Sequence, residues 1–432
     1  MVEALYAFSV VLLLCFVGVK IGFATLFVGL IGVGFMRGWE AAFTLVGQQV
    51  FQVSNDYNLS VIPLFILMGV FIHRSGIAED LFDSACSGLS GVRGALAQST
   101  LLACGGFSAV CGSSIATAAT MTRVAMPSMD RYGYSNAIST GVIASGGTLG
   151  IMIPPSVPLV IYGLLTQQDI GVLFMAAVVP GLLLLLSFML VVALWARISP
   201  ADTPRVINKV APKKKGAGAS ALAILGLFVL ILGGMYGGVF TPTEASGIGA
   251  VVAAVISMTR GSLRNLSEWR DNLVEASMTT TNLFVVFFGA LVFTQYITLT
   301  GMPFDLVHSI EKLEISPLSL VTGIAIIAIL LGMIFEAVGI LVLLVPVFIP
   351  TLEAAGIDMI WFGIIIAIVI ELGLITPPIG MNAFVVSNMV PEIPISRIFY
   401  GVLPFILAML VVLALIFLLP EIATFVPSML SS

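Results

Sequence analysis

The sequence predicts an all-α, polytopic membrane protein built as two inverted repeats, each with a re-entrant helical hairpin and a helix broken at a Pro-Pro pair. Three observations lead there. With 59% hydrophobic and 9% charged residues and a mean hydropathy of +1.16, a soluble fold would have little polar surface to present to water. Apolar runs of roughly 15 to 25 residues recur, the length at which a helix rising 1.5 Å per residue crosses a ~30 Å hydrocarbon core. Finally, Pro154-Pro155 follows Leu149-Gly150, and Pro377-Pro378 follows Leu372-Gly373, 223 positions later. The same offset carries Pro127 onto Pro350 and Gly133 onto Gly356. Broken helices at matching places in two halves point to a transporter's binding site.

The first repeat, residues 1–198, has predicted spans at 4–19, 21–36, 59–72 and 170–196, and a broken span at 133–166. The run 4–19 has no basic residue ahead of it and no small-residue cleavage site behind it, so it is expected to be a retained span. Residues 199–219 read as a basic cytoplasmic linker, with Arg205, Lys209 and Lys213 to Lys215 among Pro and Gly. The second repeat, 220–432, has spans at 222–236, 243–258, 280–297 and 399–419 and a broken span at 358–390. Segments 95–127 and 318–350 each have two apolar legs and a short polar tip, and are expected to be the re-entrant hairpins. The more polar, arginine-flanked segments 38–56 and 261–277 read as interfacial arms.

Threading from the linker by the positive-inside rule puts Lys20, Arg74, Arg93, Arg131, Arg260, Arg264, Arg270 and Arg397 in the cytoplasm and leaves Arg37 and Lys312 outside. The first hairpin then enters from the cytoplasm and the second from outside, which inverts the halves. Cys15, Cys86, Cys104 and Cys111 lack CxxC or Cys/His spacing and read as small buried hydrophobes. His73 and His308 are accompanied by no HExxH or GxSxG string, so the sequence lacks the parts of an intramembrane hydrolase. A net charge of −5 gives no nucleic-acid footprint.

The candidate chemistry lies at the tips and breaks. In Cys111-Gly112-Ser113-Ser114-Ile115-Ala116-Thr117, hydroxyls and glycine backbone sit where unpaired chain must find partners at membrane depth. Their oxygens suit a hard cation such as Na⁺, and the start of the second leg offers N–H groups to a carboxylate. The plainer alternative is that Ser113 and Ser114 cap that leg. Prolines in Ser145-Gly146-Gly147-Thr148-Leu149-Gly150-Ile151-Met152-Ile153-Pro154-Pro155-Ser156 lack N–H groups and so free upstream carbonyls that can also bind a cation. The second half has Glu336 in place of Ser113, and Glu371 beside its break. A carboxylate at that depth is costly unless paired, protonated or ion-bound, so both are functional candidates, with hydrogen bonding to backbone the structural alternative. Glu244, after Thr241-Pro242-Thr243, suits a helix cap. Arg123 lies about 13 Å along a helix from Ser114, and is expected to snorkel at the cytoplasmic boundary rather than to clamp a substrate.

On these residues the chain resembles the large membrane subunit of tripartite ATP-independent periplasmic (TRAP) transporters, the M or DctM-like family. The resemblance covers nearly the whole length. It rests on the strings Ile62-Pro63-Leu64-Phe65-Ile66-Leu67-Met68-Gly69, Gly112 to Thr117, Gly150 to Gly163, Phe240 to Ala245 and Glu371 to Pro378, with His73 a local departure. The resemblance implies an elevator-type secondary transporter, not an enzyme. Such a protein imports an organic acid with Na⁺ across the bacterial or archaeal cytoplasmic (inner) membrane, and has no organic cofactor. It implies two protein partners, a small four-helix membrane subunit and a periplasmic substrate-binding protein. Carried onto this chain, it suggests one sodium cluster at Ser113, Ser114, Ser145 and Thr148 and another at Glu336, Thr376, Gly380 and Asn382. The substrate cavity would be formed by Gly112, Thr117, Pro154, Pro155, Ser156, Ala337, Pro377 and Pro378. The rival expectation is a sodium/anion symporter of similar architecture that works without a binding protein.

Overall fold

A computed structural model describes residues 2–204 and 217–430, and among these every regular element is helical. Arg205, Lys209 and Lys213 to Lys215 of the expected linker lie outside the described residues. The chain opens with α1 (Val2–Phe16), α2 (Ile21–Arg37) and α3 (Trp39–Asn55). A 3₁₀ turn at Tyr57–Ser60 leads into α4 (Val61–Arg74), followed by α5 (Ile77–Gly88). The first hairpin is α6 (Ala95–Cys111) and α7 (Ser114–Arg131). The first broken helix is α8 (Asn136–Gly147), α9 (Leu149–Met152) and α10 (Val157–Thr166), and α11 (Ile170–Ile198) follows it.

After the linker come α12 (Ala217–Tyr236), α13 (Pro242–Arg260), α14 (Leu266–Leu299) and α15 (Met302–Lys312). The second hairpin is α16 (Pro317–Gly332) and α17 (Ala337–Ala354); the second broken helix is α18 (Met359–Ile375) and α19 (Met381–Met389). The chain closes with α20 (Ile395–Leu418) and α21 (Glu421–Leu430). Among the described residues, eight helices are long and apolar enough to cross a membrane, and five shorter apolar ones accompany them. The protein is a multi-pass membrane protein.

Helix ends keep the 223-residue offset closely. The second leg of each hairpin runs Ser114–Arg131 and Ala337–Ala354, and the broken helices start at Asn136 and Met359 and end at Thr166 and Met389. Both Pro-Pro bonds are cis. Local chemistry sets these boundaries: Asp169 and Asp358 accept the N–H groups of Val172 and Trp361 at 3.0 and 2.9 Å, capping α11 and α18. Thr241 and Glu244 form a capping box on α13, so Glu244 serves the helix start.

The second expected arm is not a separate helix: residues 266–277 run on into the span at 280–297 as α14, one helix of 34 residues. Asn265 and Glu268 cap its start, and no proline or glycine interrupts the chain until Gly289. The first arm stays separate because Asp56 and the 3₁₀ turn stop α3 before α4. The short helices α5, α15 and α21 were not expected, being too short and polar for a spanning run.

The core centres on α18, which is buried along nearly its whole length against α16, α20 and α11. Hairpin legs α6 and α7 pack on α8, and α8 in turn packs on α20. There the backbones nearly touch: a Cβ at Gly141 would lie 2.3 Å from the Gly401 carbonyl oxygen. The other helices pack chiefly as α2 on α14 and α4 on α13, with α14 reaching α17 and α4 reaching α6.

Candidate functional site

Both hairpin tips open onto one cavity of about 310 Å³. Cys111 to Ala116 form one wall and Glu336 to Val338 another; α4 contributes Gly69, Val70 and His73, and α14 contributes Glu275, Thr279 and Leu283. Ile151 and Val157 close it from the first broken helix. The second legs of both hairpins begin here, so the free N–H ends of α7 and α17 share the cavity. Most of the wall is apolar, and a few polar groups are set into it, the usual constitution of a small-molecule site.

Arg123, expected at the cytoplasmic boundary, is exposed and lines this cavity. Ala116, Ala119 and Arg123 recur at helical spacing on one face of α7, and that face is the wall. His73 lies across from it on α4. Its Nδ1 is 2.9 Å from Thr120 Oγ1 and its Nε2 is 3.5 Å from Arg123 Nη2. Glu275 also borders the cavity, but Arg74 pairs with it, the Arg74 Nε donating to its carboxylate at 2.8 Å. Arg123 and Glu336 thus stand as the cavity's positive and negative groups without an ion-pair partner of their own among the described residues. The helical stripe was the available signal for Arg123, whereas nothing in the sequence tied His73 to α7.

Beyond Arg123 the cavity continues into a polar vestibule of about 600 Å³, sharing His73, Arg123 and Glu275 and adding Glu79, Asp271 and Asn272. Arg74 also lines it, on the side that charge threading assigns to the cytoplasm.

The proposed residues of the first sodium cluster are brought together around the first tip. Gly112 adopts φ +60, and a Cβ there would lie 2.8 Å from the Pro155 carbonyl oxygen, so the tip rests on the break. Ser113 caps α7: its Oγ accepts the Ala116 N–H at 3.4 Å, and its carbonyl accepts the Thr117 hydroxyl at 2.9 Å. Ser114 is buried and donates its hydroxyl to Glu371, which joins the two halves. Thr148 donates to the Ser145 carbonyl at 2.6 Å, and the Ser145 hydroxyl is buried without a hydrogen-bond partner. The Ser156 hydroxyl is likewise buried and unpartnered. Orphaned buried oxygens of this kind fit a hard cation.

The proposed residues of the second cluster divide. Gly380 donates its N–H to the Met333 carbonyl at 3.2 Å, which fastens the second break to the second tip, and Glu336 flanks that tip as the residue preceding α17. Thr376 hydrogen-bonds back to the Leu372 carbonyl at 2.5 Å. Asn382 turns the other way: it is wholly buried, and its Nδ2 donates to the Ala144 carbonyl of α8 at 3.4 Å. Of the proposed cavity residues, Gly112 and Ala337 line the cavity; Thr117, Pro154, Pro155, Ser156, Pro377 and Pro378 are not among its lining. The breaks also differ in setting, Pro154 and Pro155 being buried and Pro377 and Pro378 exposed.

Residues 8–422 match the family model of the tripartite ATP-independent periplasmic transporter, DctM component. The chain belongs to that family. It is 36% identical over 383 residues to the C4-dicarboxylate TRAP transporter large permease protein DctM of Pseudomonas aeruginosa, covering 88% of this chain and 89% of that one. To the sialic acid TRAP transporter large permease protein SiaM of Vibrio cholerae it is 30% identical, covering 96% of each. The isethionate TRAP transporter permease protein DctMQ of Oleidesulfovibrio alaskensis is 32% identical, and the match covers 88% of this chain but 60% of that longer one. As a DctM component, the chain is a transporter permease. Its fold resembles that of the YdaH transporter of Alcanivorax borkumensis, with a TM-score of 0.66 at 17% identity, covering 88% of each chain. MtrF of Neisseria gonorrhoeae has a similar fold, with a TM-score of 0.62 at 14% identity, covering 89% of this chain and 85% of that one.

Proposed function

We propose that this DctM component imports an organic acid together with Na⁺ by an elevator movement, in which the two hairpins and broken helices slide against the other helices. The observation that carries this reading is the shared cavity. It joins both hairpin tips to a guanidinium, Arg123, and a carboxylate, Glu336. Arginine's planar fork suits a carboxylate or sulfonate, and the relatives above are named for a C4-dicarboxylate, sialic acid and isethionate, all of which carry such a group. Keto acids and sugar acids fit the same chemistry. Buried unpartnered hydroxyls at the first break support Na⁺ as the coupling ion, and helices ending at a fixed offset support inverted repeats around the site. The vestibule beside Arg74 matches a state open to the cytoplasm.

On this reading the chain works in the bacterial or archaeal inner membrane with a small four-helix subunit and a periplasmic binding protein that delivers the acid. The family's tripartite name and the DctMQ relative support those partners. A thermal-shift screen of the purified permease against C4-dicarboxylates, sialic acid, isethionate, keto acids and sugar acids, each with NaCl or choline chloride, tests the reading. One acid is expected to stabilise the protein, more strongly with Na⁺, and to lose that effect in Arg123→Ala. Stabilisation unaltered by Arg123→Ala would remove the arginine from the site. Uptake without any binding protein would favour the stand-alone symporter.

A further inference from the structure

His73 stands at the throat where the cavity meets the vestibule, since both spaces are lined by His73 and Arg123. Both legs of the first hairpin hold it there. Phe107 of α6 packs against the ring, with centroids 6.2 Å apart, and Thr120 of α7 places its Oγ1 2.9 Å from Nδ1. Thr117 and Thr122, on the same helix, donate their hydroxyls to carbonyls four residues back at 2.9 and 2.7 Å. Thr120 faces His73 instead. The other ring nitrogen, Nε2, is 3.5 Å from Arg123 Nη2, at the outer limit of a hydrogen bond.

One protonation state satisfies both contacts. A guanidinium has only donors, so Nε2 must accept from Arg123 and carry no proton. The proton then lies on Nδ1, which donates to Thr120 Oγ1. An imidazolium would set N–H against N–H and bring a second positive charge beside the guanidinium. Glu275, the other acceptor bordering both spaces, is already paired with Arg74. Arg123 has no further hydrogen-bond partner among the described residues. An exposed arginine otherwise samples many rotamers, and freezing them when an acid arrives weakens binding. One N–H held beforehand removes part of that cost and leaves the rest of the fork for the acid.

We propose that His73, neutral and protonated on Nδ1, is a positioning residue for the acid site. The chain Thr120–His73–Arg123 sets the guanidinium at the throat before the acid binds. This inference rests on the reading of Arg123 as the acid's partner, and adds the residue of α4 that orients it.

The contact is tested by ring-¹⁵N histidine spectra of the purified permease carrying His308→Gln. His308 is exposed on α15, and its removal leaves His73 as the single histidine. The expected result is a protonated Nδ1 and an unprotonated Nε2 whose signal moves in Arg123→Ala. A proton on Nε2, or an Nε2 signal indifferent to Arg123→Ala, would overturn the proposal. The role is tested by thermal shift with succinate, sialic acid and isethionate, each in NaCl, for the wild type, His73→Gln, His73→Asn and Arg123→Ala. The glutamine side-chain oxygen can take the place of Nε2 as acceptor, whereas asparagine replaces only the Nδ1 donor. His73→Asn is therefore expected to raise the half-saturating acid concentration about 3- to 10-fold, with His73→Gln within about twofold of the wild type. No rise in His73→Asn, or an equal rise in both variants, would make His73 a packing residue and overturn the positioning role. An acid response that Arg123→Ala leaves intact would sink the acid-site reading itself, and this role with it, even where the spectra show the contact. If none of the three acids stabilises the wild type, the spectra alone decide whether His73 holds Arg123.

Discussion

At the scale of single residues, the cavity depends on a few groups whose neighbours came from distant parts of the chain. Arg123 is the clearest, because a charge-assisted pair to an acid is worth roughly 1.5 to 3 kcal/mol. Arg123→Ala is expected to raise the half-saturating acid concentration in uptake assays roughly 10- to 100-fold. Lysine keeps the charge but lacks the fork, so Arg123→Lys should fall between. Ser113 caps α7, so Ser113→Ala should cost about 1 kcal/mol of stability; joined with Ser114→Ala, it should raise the Na⁺ concentration that uptake needs. Uptake kinetics and melting curves together separate those effects. For Glu336, normal uptake by Glu336→Gln would show that its charge is dispensable. The sequence pointed to the tip serines and Glu336 because polar residues in an apolar run are conspicuous. That Arg123 borders the cavity was not legible because distance along one helix says nothing of where a cavity lies beside it, and the reach of Glu371 to Ser114 is a contact between residues 257 positions apart.

At the scale of elements, proline and glycine carried most of what could be read. The Pro-Pro pairs marked both breaks, and two apolar legs around a short polar tip marked each helix pair, 95–127 and 318–350, whose helices end within a few residues of those bounds. Composition could not reveal that a polar arm and an apolar span are one helix, as in α14, because hydropathy changes along the chain while backbone hydrogen bonding continues. The first tip offers a direct test of element packing. Gly112 combines φ +60 with a backbone oxygen where a Cβ would sit 2.8 Å away, so Gly112→Ala should destabilise the protein by about 1–3 kcal/mol. A lowered melting temperature in detergent is the expected observation, and an unchanged one would mean that the tip is not seated on Pro155.

For the whole molecule, the proposed movement requires α4 and the first hairpin to slide past each other, and here they are in close contact. A Cβ at Gly69 would lie 3.6 Å from the Cα of Cys111 and 3.2 Å from its carbonyl oxygen, within reach of a disulfide. Gly69→Cys, in a chain with Cys15, Cys86 and Cys104 replaced by alanine, should cross-link to Cys111 on oxidation. Uptake should stop and then return on reduction; full uptake by the cross-linked protein would exclude sliding at this interface. The most direct measurement is acid uptake into proteoliposomes containing this chain and its small subunit, with the binding protein added outside. Sodium-coupled import predicts uptake that needs both an inward Na⁺ gradient and the binding protein, and that collapses when choline replaces Na⁺. Equal uptake in choline, or without the gradient, would contradict it.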